Sequence, residues 1–158
     1  MPKIEISFET FSALEDFPIA EQQLIQMAQE ATAVAYAPYS NFWVGVALLL
    51  SNGEIVKGAN QENAAYPSGL CAERVAFFHV GCSHPAETII SIAVVARKAG
   101  AQDFTPAAPC GACRQVMLEY EAKQNTPIKI IFMDTDQQYY ALSSVASLLP
   151  FRFDAKNL

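Results

Sequence analysis

Apolar and polar positions along the chain change period several times, and each change predicts an element. At the N-terminus Ile4, Ile6 and Phe8 alternate with Lys3, Glu5 and Ser7, the two-residue period of a half-buried strand, so a short strand or arm is expected there. After Pro18, which suits a helix start, Leu24, Ala28, Ala31 and Ala35 recur every three or four residues. Glu21, Gln22, Gln26, Gln29 and Glu30 fill other faces. This predicts an amphipathic helix that stops before Pro38. Val44 to Leu50 then meets Asn52-Gly53 and the β-type segment Ile55 to Lys57, a hairpin signature, because Asn-Gly accepts the positive φ of a tight turn.

A polar loop, Gly58 to Leu70, separates the hairpin from Cys71 to His79, which reads as a helix closed at Gly81. Ile89 to Ala96 is apolar at nearly every position, as a strand covered on both faces must be. A Pro/Ala-rich loop leads to good helix formers from Cys110 to Lys123 and to a second buried strand, Ile128 to Met133. Tyr139 to Leu142 is expected as an edge strand and Ser143 to Leu149 as a last short helix before Pro150. The order α-β-β-α-β-α-β-β implies an α/β fold, a mixed sheet with helices on both faces. No repeat or linker divides the chain, so we expect an N-terminal extension over residues 1–17 and one domain over 18–158.

Composition narrows the partners. The chain has 158 residues, enough for one domain, and charged residues make up 16% of it against a usual ~25%. That leaves too little charge to solvate a full exterior, so self-association is expected. The net charge is -6 and no basic run exceeds Arg97-Lys98. A nucleic-acid or anionic-membrane partner needs a basic patch, so a small-molecule partner is expected instead. No apolar stretch approaches the ~20 residues that span a bilayer. The first residues lack the apolar core of a signal peptide, which makes the cytoplasm the expected compartment and thiols or metal ligands the expected state of the four cysteines.

Three of those cysteines lie in two compact segments, Cys71-Ala-Glu73-Arg74 and Pro109-Cys110-Gly-Ala-Cys113-Arg114, each opening a predicted helix. Helix N-termini and neighbouring arginines favour thiolates, and thiolates are what zinc requires. A Cys-x-x-Cys pair plus a third cysteine from another helix leaves one tetrahedral position open, the catalytic pattern. Taken alone, Cys-x-x-Cys is also a redox pair or half a structural site, and Glu73 alone is an ordinary first-turn carboxylate. Together they describe a zinc that acidifies a water and a carboxylate near enough to take its proton, the pair that hydrolytic deamination requires.

Cys71-x-Glu73 and Pro109-Cys110-x-x-Cys113 reproduce the signature of zinc deaminases in its three-cysteine form. With Tyr39-Ser-Asn-Phe42-x-Val-Gly45, Gly58-x-Asn60-x-Glu62-Asn63-Ala-x-Tyr66, Cys110-Gly-Ala-Cys-Arg-Gln115 and Leu148-Leu-Pro-x-x-Phe153, the chain resembles the cytidine deaminases over about residues 18–153. The resemblance implies a three-layer α/β/α fold with a mixed five-stranded sheet and a homotetramer with active sites at its interfaces. It implies hydrolysis of cytidine and 2′-deoxycytidine to the uridine counterparts and ammonia, a step of pyrimidine salvage. On this likeness Cys71, Cys110 and Cys113 hold one Zn2+ per subunit and Glu73 shuttles protons. Asn60 and Glu62 bind the ribose hydroxyls, Phe42 packs on the pyrimidine, and the Ala72 backbone holds the base. Tyr66 and Phe153 approach a neighbouring subunit's pocket, and Arg74 draws charge from the sulfurs.

Other residues read as structural. Cys82 is a small thiol near a helix end, His79 and His84 are packing or surface residues, Trp43 is interface filler or substrate contact, and Asp134 and Asp136 flank a turn. An ion pair serves Arg114 as well as a zinc role would. Two other functions compete with nucleoside deamination: a deaminase of the same fold acting on another aminated heterocycle, such as a blasticidin-type antibiotic, and a noncatalytic zinc or nucleoside-binding module. Asn60 and Glu62 favour a nucleoside over the first, and Glu73 favours catalysis over the second.

Overall fold

A computed structural model describes all 158 residues. Its elements are β1 (Glu9–Phe11), α1 (Ile19–Ala31), β2 (Phe42–Leu50), β3 (Ile55–Ala59), α2 (Ala72–Ser83), β4 (Ile89–Lys98), α3 (Gly111–Gln124), β5 (Lys129–Met133) and β6 (Tyr139–Leu142), with short 3-10 turns between them. The sheet has the order β1-β6-β5-β4-β2-β3. Only β4 and β5 run parallel; the other pairs are antiparallel.

The strands β2, β4 and β5 are apolar on both faces because both faces are covered. Val46, Leu48, Ile92, Val94, Ile130 and Phe132 point into one core with Phe77 of α2 and Met117 of α3. Their alternates Ala47, Ala93, Val95 and Ile131 face a second core with Leu24, Ile25 and Ala28 of α1. The two-residue period of side chains thus survives inside runs that look uniformly apolar. Helices on both faces give the expected three layers. The Asn52-Gly53 hairpin also forms, with Gly53 at φ 85° and Leu48 opposite Val56.

The sheet departs from the expected five strands by one. The sixth is β1, paired with β6 through Glu9 opposite Ala141 and Phe11 opposite Tyr139. Consequently β6 is not an edge strand. The alternating segment Lys3 to Phe8 is not itself a strand; it is exposed, with Phe8 stacked on Tyr140 at 4.6 Å. The first helix ends at Ala31 and continues only as a 3-10 turn over Thr32–Val34. The expected last helix is likewise a 3-10 turn, Val145–Leu148. Gly81 does not close α2, which runs on to Ser83. A Cβ at Gly81 would lie 2.3 Å from the Tyr120 hydroxyl, so this glycine serves the packing of α2 on α3 and not a turn.

Gly58 fixes the start of α2 in the same way. A Cβ there would meet the Ala72 carbonyl at 2.6 Å and the Ala76 amide at 2.9 Å, both backbone atoms that move only with the helix. Gly58→Ala is expected to cost about 1–3 kcal/mol by overpacking, lowering the melting temperature by several degrees, about 2–4 °C per kcal/mol at this size. A thermal melt of the purified variant checks this, and an unchanged midpoint would show that α2 can shift freely off β3.

Candidate active site

One end of the sheet gathers the chemistry. Register places Gly45 opposite Ala59 and Phe42 opposite Lys98, so β2 starts where β3 and β4 end. From there, loops run to Cys71 and Cys110, which occupy the N-cap positions of α2 and α3 in extended conformation. The positive ends of two helix dipoles converge on the thiols.

The sulfurs of Cys71 and Cys110 are 3.8 Å apart, and those of Cys110 and Cys113 3.5 Å. All three lie within 4.8 Å of one another. Four tetrahedral bonds of ~2.3 Å put zinc-bound sulfurs about 3.8 Å apart, so the spacing fits that metal. Cys113 is fully buried, Cys71 half-buried and Cys110 exposed. A hydrogen bond from Cys113, with Arg74 adding to it, pulls the Cys71 thiol down to about 5. Cys113 is pushed up in turn, chiefly by that same bond and by burial. Arg74 donates through Nη2 to the Gly69 carbonyl at 3.4 Å and to the Cys71 sulfur at 3.9 Å, so its charge falls on a ligand.

A cavity of about 800 Å³ opens beside these groups, lined by Cys71, Cys110, Glu73 and Arg74. Glu73 is only 4% exposed, and burial followed by the neighbouring Cys71 charge pushes its carboxyl up. Phe42, Asn60, Glu62 and Tyr66 line the same cavity. Asn60 accepts from the Val44 amide and donates to the Phe42 carbonyl, both at 2.9 Å. This holds the amide rigidly and leaves one N–H and one lone pair for a ligand. Glu62 Oε2 accepts from the amides of Tyr39 at 2.9 Å and Ser40 at 3.3 Å. Bonds from Ser40 and Tyr39 hold its carboxyl below the usual range, so it meets a ligand as a charged acceptor.

Two residues sit apart from this group. The Ala72 side chain is fully buried in the core, leaving only its backbone for a ligand. Phe153 is 59% exposed and does not line the cavity of its own chain. Tyr66, 72% exposed, rests edge-on against Tyr39 at 5.9 Å. Away from the site, His79 and His84 face each other, and His84 reaches Glu54 at 3.6 Å. Arg97 covers Trp43 at 5.3 Å. Arg114 makes no ion pair; it bonds two carbonyls, of Pro109 and Leu148.

The family model for the cytidine and deoxycytidylate deaminase zinc-binding region matches residues 18–127, a span that holds all three cysteines and Glu73. The chain is also 41% identical over 137 residues to a cytidine deaminase of Halalkalibacterium halodurans, covering 87% of this chain and 96% of that one. The chain belongs to the cytidine deaminase family. It is therefore an enzyme of that family, with zinc as its cofactor and a three-cysteine group able to bind it. A cytidine deaminase of Sporosarcina psychrophila is 39% identical over 137 residues, 87% of this chain and 93% of that one. Among solved structures, cytidine deaminase from Burkholderia pseudomallei aligns with a TM-score of 0.68 at 38% identity, covering 83% of this chain and 97% of that chain. The Mycobacterium tuberculosis enzyme aligns at 0.67 and 31% identity, with 87% and 99% covered.

The Tyr39 and Ser40 amides grip Glu62 at the cavity, a contact the sequence pattern does not assign. Their only sequence signal is the polar turn before Phe42, where Asn41 takes φ 53°, a conformation asparagine tolerates better than most residues.

Proposed function

We propose that this protein hydrolyses cytidine and 2′-deoxycytidine to uridine and 2′-deoxyuridine with release of ammonia, a cytoplasmic step of pyrimidine salvage. The observation that carries this is one cavity lined both by buried Glu73 with Cys71 and Cys110 of the three-thiol group and, opposite in kind, by the sugar-type partners Asn60 and Glu62. Cys71, Cys110 and Cys113 hold one zinc per subunit. When bound, the zinc supplies a water acidic enough to ionise near neutral pH. Glu73 would take the two protons of the attacking water in turn, giving the first to the ring nitrogen as the C–O bond forms and the second to the departing amine as the C–N bond breaks. Its burial keeps bulk water from competing for those protons.

Binding divides between two ends of the cavity. Phe42 stacks on the pyrimidine and the Ala72 backbone holds its edge, while Asn60 and Glu62 bond the ribose hydroxyls. Two fixed polar partners left unpaired by a substrate with no sugar at all would reject it strongly, without choosing between ribose and deoxyribose. This favours a nucleoside over a sugar-free heterocycle. Arg74 withdraws charge from Cys71, offsetting the net negative charge of three thiolates on a divalent ion.

Residues 1–17 extend a domain that spans 18–158, and the subunits form a homotetramer. Tyr36, Tyr39, Tyr66, Phe78, Phe151 and Phe153 are exposed, more large apolar surface than a weakly charged monomer accommodates well. Tyr66 and Phe153 would complete a neighbour's cavity. Purified protein should lose cytidine absorbance with time and elute at four times the subunit mass; a stable monomer with full activity would refute the shared site. Phe153→Ala should lower activity at least tenfold. Mixing its subunits with an inactive active-site variant should restore part of it, whereas no recovery above the two parents would show each pocket to be self-contained.

A further inference from the structure

The Pro/Ala-rich loop that delivers Cys110 makes few hydrogen bonds, although Pro109 itself is buried. The Ala107 amide bonds the Met133 carbonyl at 3.0 Å, and past that point Ala108 and Pro109 receive a single hydrogen bond before α3 begins. Arg114 provides it: Nε donates to the Pro109 carbonyl at 2.8 Å, while Nη1 donates to the Leu148 carbonyl at 3.2 Å. The planar guanidinium thus spans two chain segments with a fixed fork.

Its second anchor is firm. Leu148 ends the 3-10 turn Val145–Leu148, whose start is held by Glu121. That carboxylate accepts from Ser144 Oγ at 2.6 Å, the Val145 amide at 3.1 Å and the Ala146 amide at 3.3 Å, and also from the Ile128 amide at 2.7 Å. Residues 114 and 121 are two helical turns apart and share a face of α3. The helix therefore grips the 3-10 turn at both ends and uses it as a strut for the loop.

We propose that Arg114 is a positioning residue of the metal centre, bracing Pro109 against Leu148 so that Cys110 is held at metal distance from Cys71 and Cys113. Cys110 is the exposed member of the three; its carbonyl is tied to α3 by the Arg114 amide at 3.0 Å, so the backbone on its other side, at Pro109, is what the brace fixes. The inference rests on the zinc assignment to these cysteines. It predicts slower metal loss with the brace than without it, since groups that orient metal ligands typically change affinity ~10–100-fold when removed.

The test uses zinc-loaded protein and measures the rate of zinc transfer to a chromophoric chelator, without substrate. Arg114→Ala should release zinc at least ~10-fold faster. Arg114→Lys should fall between it and the parent, since an ammonium reaches one carbonyl but cannot fork to both. The lysine variant carries the test if the alanine variant does not fold. Glu121→Gln loosens the strut's other end without touching Pro109, and should lower the melting temperature while accelerating release less than Arg114→Ala does. Release at the parental rate from both Arg114 variants would overturn the proposal, as would equal acceleration by Glu121→Gln. Were Cys110→Ala to leave zinc content intact, the ligand assignment itself would fail; loss of zinc in Cys110→Ala with normal release from the Arg114 variants would refute the brace alone.

Discussion

Glu73→Gln is expected to abolish turnover while leaving the folded, zinc-loaded protein intact. The carboxylate lies outside the three-thiol group, so metal content should stay near one zinc per subunit. Glutamine matches its volume and cannot hand on a proton. General acid–base catalysis commonly contributes ~10²–10⁴-fold, and a group that serves ring nitrogen and leaving amine in turn should lie toward the upper end. A kcat fall of about 10³-fold corresponds to about 4 kcal/mol of lost transition-state stabilisation. Stability should move the other way or not at all. Glu73 is 4% exposed, and an ionised carboxylate taken out of water is costly unless well paired, so a neutral amide relieves part of that cost. The two readouts separate catalysis from structure: kcat drops, whereas the melting temperature is unchanged or raised. Turnover above a tenth of the parental rate would remove Glu73 from the reaction, and loss of zinc would make it a ligand.

What the sequence could disclose depended on whether the signal was local. Asn52-Gly53 marks a turn through its own backbone preference, and the hairpin formed there. Ile89 to Ala96 announces burial on both faces by itself, needing no knowledge of which helix covers which side. The three-thiol group was legible because Cys71, Cys110 and Cys113 carry side chains whose chemistry is rare, and they converge in the structure. Elements that depend on distant partners were not legible. Glu9–Phe11 has no apolar alternation of its own and becomes a strand only because β6 offers an open edge from the far end of the chain. The better-patterned Lys3 to Phe8 finds no such edge. Gly81 resembles a helix stop in sequence, yet its lack of a side chain is used by Tyr120 across the interface with α3. The grip on Glu62 comes from backbone amides, which every residue carries and no residue type advertises.

Among the three cysteines, Cys110 is the one whose removal tests metal binding most cleanly. Cys113 is fully buried within the larger core, so truncating it combines a cavity with a lost ligand. Cys71 hydrogen-bonds Arg74, and its removal frees a charge as well. Cys110 is exposed and its sulfur packs little, so Cys110→Ala should fold. With two thiolates left, zinc content after dialysis against a chelator should fall from about one to below about 0.1 per subunit, and activity at least ~10³-fold with it, since the metal must be held before it can ionise a water. Thermal unfolding supplies an independent measure. A ligand that binds only the native state at a thousandfold excess over its Kd stabilises by about 4 kcal/mol, roughly 10 °C for a domain of this size. Added zinc should therefore raise the melting temperature of the metal-stripped parent by about that much and leave Cys110→Ala almost unmoved. An equal zinc-induced shift in both proteins would place the metal elsewhere, because nothing but the loss of one sulfur distinguishes them.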